Sequence, residues 1–272
     1  MLKVTPHEPI TRFDLARTLL GRGRYWTTAH LVDGLLIDTG CAHSAPELAR
    51  ALEKQRLACI VNTHTHEDHI GANGLLQRQY PGLKILAHPL ALPVLSDPRR
   101  TQPLHPYRRL FWGWPEPCQA RPVADGESVQ TEHYTFQVIY TPGHSPDHLC
   151  LYEASQGWLF SGDLFVGGKD RALRQGHEIW QMIASLKCIA ALPITCLFPG
   201  SARIRENPTQ ELNDKIAYYE RLGEQVLELN EKGWSVQHIA RHLCGSPMWV
   251  EFVTLGHFSR QRLVRSYLRK NA

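Results

Sequence analysis

The sequence predicts a mixed α/β protein with a small helical C-terminal part. Helical spacings of apolar residues fall between strand-like segments and again after residue 207. With 43% hydrophobic residues, a chain of 272 residues can bury one large core, with or without an appendage. We therefore expect one domain over 1–206 and a helical region over 207–272. Short apolar strands that run directly into polar residues are predicted at 58–62, 136–140, 158–161 and 195–198.

Composition narrows the function classes. The formal charge of +4, with 21% charged residues, is a mild basic excess that calls for neither nucleic acid nor a membrane. The N-terminal residues lack the apolar core of a signal peptide, and no apolar run approaches the roughly 20 residues of a membrane span. Seven scattered cysteines are typical of reduced thiols, so we expect a cytoplasmic protein without a disulfide framework.

The first elements lead to the chemistry-bearing part of the chain. Trp26–Val32 and Leu35–Ile37 flank Asp33-Gly34, a spacing that predicts a β-hairpin. The second strand ends at Asp38, which by itself is equally typical of an ordinary acidic turn. An amphipathic helix is then predicted over 45–55, ahead of the strand at 58–62.

The next segment, Thr63 to His69, carries the candidate ligands His64, His66, Asp68 and His69, three imidazoles and a carboxylate. Nitrogen and oxygen donors in this mixture suit zinc or another borderline divalent ion. Side chains two residues apart in a strand share a face, so His64 and His66 are expected to point together. A helix starting near Asp68 would bring Asp68 and His69 to a neighbouring position. One turn could therefore serve two adjacent metal ions.

The motif His64-x-His66-x-Asp68-His69 resembles the signature of the metallo-β-lactamase superfamily. The resemblance implies a four-layer αββα sandwich with metal ions at one edge. The resemblance is greatest to the glyoxalase II-like branch, which also has a helical C-terminal part. It further implies that Asp38 accepts hydrogen bonds that hold the ligand loop in place.

Two later motifs extend the resemblance. His144 follows Pro142-Gly143, where the superfamily places a ligand of the first metal, and Asp163 follows Gly162, where the superfamily has a carboxylate that bridges two metals. His148 is not needed as a ligand, and we expect it to be structural or to support a ligand. The implied first site comprises His64, His66, His144 and Asp163, and the implied second site comprises Asp68, His69 and Asp163.

The last motif departs from the family pattern. The superfamily has Pro-Gly-His where this chain has Ser201 after Pro199-Gly200, and a hydroxyl is a weak zinc ligand. Three interpretations remain open: the second ion binds weakly with water in the open place, the protein uses one metal, or another histidine completes the site (His88, His177 or His257). We expect one firmly bound zinc ion and a weaker second one, with iron or manganese as alternatives.

Two further segments keep alternative interpretations. Residues 89–122 lose all periodicity and are rich in proline, arginine and aromatics. They could form a lid that binds an anionic substrate, or a homodimer contact or cover for a sheet edge. In the C-terminal region, helices are predicted from an Asn207 cap, from Ser235, and over 258–270. The last of these is basic and could contact RNA phosphates or simply face solvent.

The resemblance predicts a hydrolase that cleaves an ester, thioester or lactone by attack of a metal-bound hydroxide. Asp68 would orient the water and move its proton. A phosphodiesterase or ribonuclease is the alternative hydrolase, and a mono-iron persulfide dioxygenase or a non-catalytic binding module are the alternatives outside hydrolysis. The expected partner is a small molecule, for which an anion is one option. We expect no membrane partner, and binding of nucleic acid is the weaker expectation.

Overall fold

The structure is a computed structural model that describes residues 1–102 and 105–269. Its internal contacts divide the chain into two compact units. The first unit comprises Met1–Tyr140, Asp147–Val166 and Ile194–Asn207. The second unit comprises Thr141–Pro146, Gly167–Pro193 and the chain from Pro208 onward. The domain boundary at 206/207 stays a prediction.

Strands dominate the N-terminal two thirds of the chain. The strands of the described residues are β1 Leu2–His7, β2 Ile10–Leu19, β3 Arg22–Val32, β4 Leu35–Ile37, β5 Cys59–Val61, β6 Lys84–Ala87, β7 Arg121–Pro122, β8 Ser128–Gln130, β9 Thr135–Tyr140, β10 Leu149–Glu153, β11 Trp158–Gly162, β12 Leu173–Arg174, β13 Cys196–Pro199, β14 Arg205–Glu206 and β15 Phe258–Ser259.

The helices are short except for one. In chain order they are α1 Ala45–Leu52, α2 Asn73–Gln79, α3 Leu92–Ser96, α4 Pro98–Thr101, α5 Pro106–Trp112, α6 Ile179–Ala190, α7 Thr209–Glu231, α8 Val236–Cys244, α9 Trp249–Val253 and α10 Arg260–Leu268, with 3₁₀ turns at Ala42–Ser44 and Pro89–Ala91.

The first unit contains two sheets. One has the order β1-β2-β3-β4-β5-β6-β7, antiparallel as far as β4 and parallel from β4 to β7. The other has the order β14-β13-β11-β10-β9-β8, in which only β11 and β13 run parallel. The expected mixed α/β class is thus confirmed.

Alternation along β4 shows how the first sheet separates two cores. Leu35 and Ile37 belong to the core shared with the second sheet, which includes Phe160 and Phe198. Leu36 points the other way and belongs to a core formed with the helices α1 and α2. Neighbouring residues of a strand face opposite sides, so a continuous apolar strand is buried on both faces.

The structure places several helix starts at positions that differ from the predicted ones. The helix predicted near Asp68 is wrong in position: residues 67–72 are turns, and α2 begins at Asn73. Asn207 does not cap α7, because it adopts a positive φ of 47° and the helix begins two residues later without a side-chain cap. The helix predicted from Ser235 is confirmed to within one residue: α8 begins at Val236, and Ser235 caps it by accepting a hydrogen bond from the His238 amide.

Three segments also differ from the prediction in their secondary structure. The strands β1 and β2 were not predicted, although they form one edge of the first sheet. The 89–122 segment is not a structureless loop, since it contains α3, α4, α5 and β7. The C-terminal helix is shorter than predicted, and β15 precedes it. Pro103, Leu104 and Lys270, which belong to these predicted segments, lie outside the described residues.

The second unit is mostly helical and contains α7, α8 and α10, which lie in the C-terminal region that the sequence predicts to be helical. Tyr267 of α10 donates a hydrogen bond to the Tyr219 carbonyl of α7 (2.8 Å), and the Trp180 indole of α6 donates to the Tyr267 carbonyl (3.2 Å). A two-stranded ribbon pairs β12 with β15. Among the described residues, no helix is both long and apolar enough to cross a membrane.

Candidate metal centre

The metal-ligand loop starts where two parallel strands end. Ile37 of β4 pairs with Val61 of β5, so Asp38 and Thr63 emerge at the same sheet edge. The Asp38 carboxylate accepts from the Thr63 amide (2.8 Å) and from the Thr63 hydroxyl (2.7 Å). Asp38 is almost fully buried, with a φ of 60° that Asp tolerates better than most residues.

Hydrogen bonds to Asp38 also set the imidazole tautomers. His69 Nδ1 lies 2.8 Å from Asp38 Oδ2, so this nitrogen donates and Nε2 carries the lone pair of the neutral ring. The Thr63 hydroxyl already donates to Asp38, so it accepts from His64 Nδ1 at 3.0 Å. Both rings therefore present Nε2 as a ligand atom, which is the usual effect of a supporting carboxylate on metal-binding histidines.

A second carboxylate holds the middle of the loop. Asp147 Oδ2 accepts from the Thr65 amide (2.8 Å) and from the Thr65 hydroxyl (2.7 Å). Thr63 and Thr65 are thus each held by a buried carboxylate. The side chain of His64, between them in the sequence, lies in the ligand cluster. Sequence analysis missed Asp147, and the only available signal was the alternation of threonine with histidine from Thr63 to His66.

The structure brings five of the predicted ligands together within the first unit. The His64 ring centroid lies 4.4 Å from that of His66 and 4.1 Å from that of His69. Potential ligand atoms of Asp38, His64 and His69 lie within 4.8 Å of one another. His69 Nε2 lies 3.4 Å from Asp163 Oδ2 and 3.9 Å from Asp68 Oδ2.

This arrangement needs positive charge. The lone pair of neutral His69 would face two carboxylates, and that contact is repulsive unless a proton or a metal ion lies between them. Burial lowers the pKa of His69, but Asp163, Asp38 and Asp68 outweigh it and raise that pKa well above its ordinary value. Burial also raises the pKa of Asp68 to about 7. The donor set therefore fits a divalent cation.

Asp163 and Ser201 lie beside this cluster. The Asp163 amide donates to His148 Nε2 at 3.2 Å, so the fully buried His148 supports the strand end that carries Asp163. Gly200, directly before Ser201, lies so close that a Cβ on it would be 2.7 Å from Asp163 Oδ1 and 2.8 Å from His69 Cε1. The backbone at Gly200-Ser201 therefore forms a wall of the cluster.

The other candidate histidines have different surroundings. His88 stacks on Tyr140 with centroids 4.4 Å apart, and its Nδ1 accepts from the Leu90 amide. His144 belongs to the Thr141–Pro146 segment of the second unit, where its ring lies 4.4 Å from that of His177. The backbone amide and carbonyl of His257 bond to Thr254 and Gln175 in the same unit.

A buried ion pair under the ligand loop was also missed. Arg108 of α5 donates to Glu67, which lies between His66 and Asp68. Both side chains are buried, with 5% and 0% exposure. Arg108 thereby connects the 89–122 segment to the metal-ligand loop. Its positive charge is neutralised by Glu67.

Comparison with known proteins identifies the family of this chain. The sequence profile of the metallo-beta-lactamase superfamily matches residues 28–201, from β3 to the residue after Gly200. The chain belongs to the metallo-β-lactamase superfamily. A crystal structure of a metallo-beta-lactamase family protein from Thermus thermophilus has the same fold, with a TM-score of 0.70 and 20% identity over 95% of this chain and 93% of that chain.

Curated relatives of this superfamily member include hydrolases. A hydroxyacylglutathione hydrolase of Legionella pneumophila (strain Lens) is 33% identical over 148 residues, covering 54% of this chain and 49% of that protein. An atrochrysone carboxyl ACP thioesterase of Aspergillus fumigatus is 28% identical over 197 residues, covering 71% and 55%. The aligned stretches span about half the length of these relatives.

Proposed function

We propose that this protein is a metal-dependent hydrolase of an ester, thioester or lactone, with a thioester as the first choice. The observation that carries the proposal is the position of His69, whose Nε2 faces Asp163 and Asp68 while Asp38 fixes the ring from behind. The names of the hydroxyacylglutathione hydrolase and ACP thioesterase relatives favour a thioester.

Zinc is the proposed metal, with iron or manganese as alternatives, because the donors are imidazoles and carboxylates. His64 and His66, with Asp163, would hold the first ion, and His144 is proposed as the third imidazole from the sequence motif. Asp68, His69 and Asp163 would hold a second, weaker ion. When bound, the metal would lower the pKa of water and offset negative charge on the substrate carbonyl oxygen.

Asp68 is the proposed catalytic carboxylate. Its side chain keeps 15% exposure beside Asp163, which keeps 18%, so it can reach both a water molecule and a substrate. Burial raises the pKa of this carboxyl, which favours its accepting a proton from water and returning it to the leaving group. His69, in contrast, is fully buried, and Asp38 fixes its ring. Its proposed role is therefore only to bind the metal.

Metal content together with a substrate panel tests the proposal. The purified chain is assayed by elemental analysis and with a glutathione thioester, a pantetheine thioester, a carboxylic ester, a lactone and a phosphodiester. We expect zinc and turnover of a thioester, with turnover lost in Asp68→Asn while the first zinc ion is retained. Iron with oxygen uptake would establish the dioxygenase instead, and turnover confined to the phosphodiester would establish the phosphodiesterase alternative.

Three accompanying expectations stay predictions. A cytoplasmic location and a homodimer are expected from the sequence. An anionic substrate was expected partly from the arginines of 89–122, and the Arg108–Glu67 pair removes one of them from that role. Arg99, whose guanidinium lies 5.9 Å from the Trp114 ring, is the arginine we propose for substrate contact.

A further inference from the structure

A cavity of about 670 Å³ lies within the second unit, between α8, α9 and α10. This volume is in the range of small-molecule sites in proteins. Four arginines and one glutamate line it: Arg241, Arg260, Arg262, Arg265 and Glu251. The cavity is therefore strongly basic.

Only one of these arginines is neutralised by the carboxylate. Glu251 Oε1 accepts from Arg260 Nε at 2.6 Å and from the Met248 amide at 3.0 Å. Arg260 also donates to the Gly245 carbonyl, so both side chains are committed to holding α9 and α10 together.

The other three guanidinium groups have no carboxylate partner in the described part of the chain. Arg262 donates to the Gly256 carbonyl (2.7 Å), and Arg265 is 3.4 Å from the Gln261 amide oxygen. Burial lowers the pKa of Arg262, and the charges of Arg265 and Arg269 lower it further. Like charges crowded in this way are relieved by an anion.

The cavity also has an apolar wall. Phe252 of α9 and the following Leu255 line it and remain 66% and 89% exposed. No residue of α9 is buried, so this helix presents its apolar side chains outward beside the arginines. Apolar surface next to several cations suits an amphiphilic anion better than an inorganic ion.

We propose that this cavity binds a small phosphate-bearing organic molecule. Its phosphate would contact Arg241, Arg262 and Arg265, and its apolar part would lie against Phe252 and Leu255. A dianionic phosphate matches three uncompensated guanidinium groups, whereas a single carboxylate is satisfied by one bidentate arginine. The site uses no residue of the metal centre, so it goes beyond the proposed hydrolase activity.

Calorimetric titration of the full chain tests the proposal, with hexyl phosphate, inorganic phosphate and hexanoate as probes. We expect saturable one-site binding of hexyl phosphate, and weaker binding of both other probes. Arg241→Gln and Arg265→Gln should each raise its Kd at least about 10-fold, the loss of one charged hydrogen bond. The exposed Arg221→Gln of α7 is the matched control and should change the Kd less than about 2-fold.

Two further measurements test the contribution of the apolar wall and distinguish a small phosphate from a polynucleotide. Phe252→Ser should weaken hexyl phosphate but leave inorganic phosphate unchanged. The proposal would be overturned if Arg221→Gln weakened hexyl phosphate binding as much as Arg241→Gln and Arg265→Gln. It would also be overturned if those two variants left the Kd of hexyl phosphate unchanged. A short single-stranded RNA that binds more tightly and displaces hexyl phosphate would overturn it too, because the basic surface would then serve a polynucleotide. None of these readouts depends on hydrolysis, so they stand apart from the proposed function.

Discussion

Asp147 holds Thr65 at two points, the backbone amide at 2.8 Å and the hydroxyl at 2.7 Å. Thr65 lies between the ligand histidines His64 and His66, and Asp147 is 82 residues away in the sequence. The carboxylate therefore fixes the backbone from which both imidazoles project. In this chain the ligand loop is held by Asp147 as well as by Asp38.

Removing the charge of Asp147 should weaken metal binding. For Asp147→Asn we expect about 10-fold lower affinity for the first ion, since loss of a supporting hydrogen-bond partner commonly costs 10–100-fold. Thr65→Val, which removes only the hydroxyl, should have a smaller effect. Competition with a chromophoric chelator measures the affinity, and Asp214→Asn on the exposed face of α7 is the control. Unchanged affinity in Asp147→Asn would contradict this role.

The Glu67–Arg108 pair should be costly to break. Glu67→Gln leaves an uncompensated buried guanidinium, so we expect the free energy of unfolding to fall by about 3–5 kcal/mol. Glu67→Gln combined with Arg108→Met should restore most of that loss. Urea denaturation measures both. Glu132→Gln is the control, because Glu132 pairs with Arg56 at the surface and should cost less than about 1 kcal/mol.

Ser201 should determine how tightly a second ion binds. Gly200 forms a wall against Asp163 and His69, so a histidine at the next position can add an imidazole to that side. Titration of zinc into Ser201→His should show at least about 10-fold tighter binding of the second ion, with Ser201→Ala unchanged. If Ser201→His binds the second ion no better than the natural chain, our account of the weaker site is wrong.

His30 should make the fold sensitive to acid. It is buried between the rings of Phe160 and Phe198, and its Nε2 has no hydrogen-bond partner among the described residues. Burial, with smaller effects of Arg12 and His7, lowers the pKa of His30 to about 3. The unfolded chain takes up a proton below about pH 6.5 and the folded chain does not, so stability falls as the pH falls between these values.

The variant His30→Leu should reduce that slope. We expect the free energy of unfolding to lose about 1.4 kcal/mol less per pH unit below pH 6.5 than in the natural chain. Urea denaturation at pH 7.0, 6.0 and 5.0 measures the slope. His238→Gln, an exposed histidine on α8, should leave it unchanged. An identical slope in His30→Leu would show that His30 is already protonated in the folded protein.

The sequence alone determined the mixed fold class, the hairpin around Asp33-Gly34 and the ligand loop. These features depend on local chemistry: alternation of apolar residues, turn residues between strands, and metal-ligand types at fixed spacing. The clustering of His64, His66, Asp68, His69 and Asp163 follows because their strands end at one edge of the sandwich.

Only the tertiary structure decided what surrounds that loop. The contacts of Asp147 with Thr65 and of Arg108 with Glu67 join residues 82 and 41 positions apart. The late start of α2 at Asn73 has a similar origin, because the His69 carbonyl accepts from the Thr39 amide and is not free to begin a helix. Hydrogen bonds across such separations depend on how whole strands pair, and no local pattern of residue types encodes them.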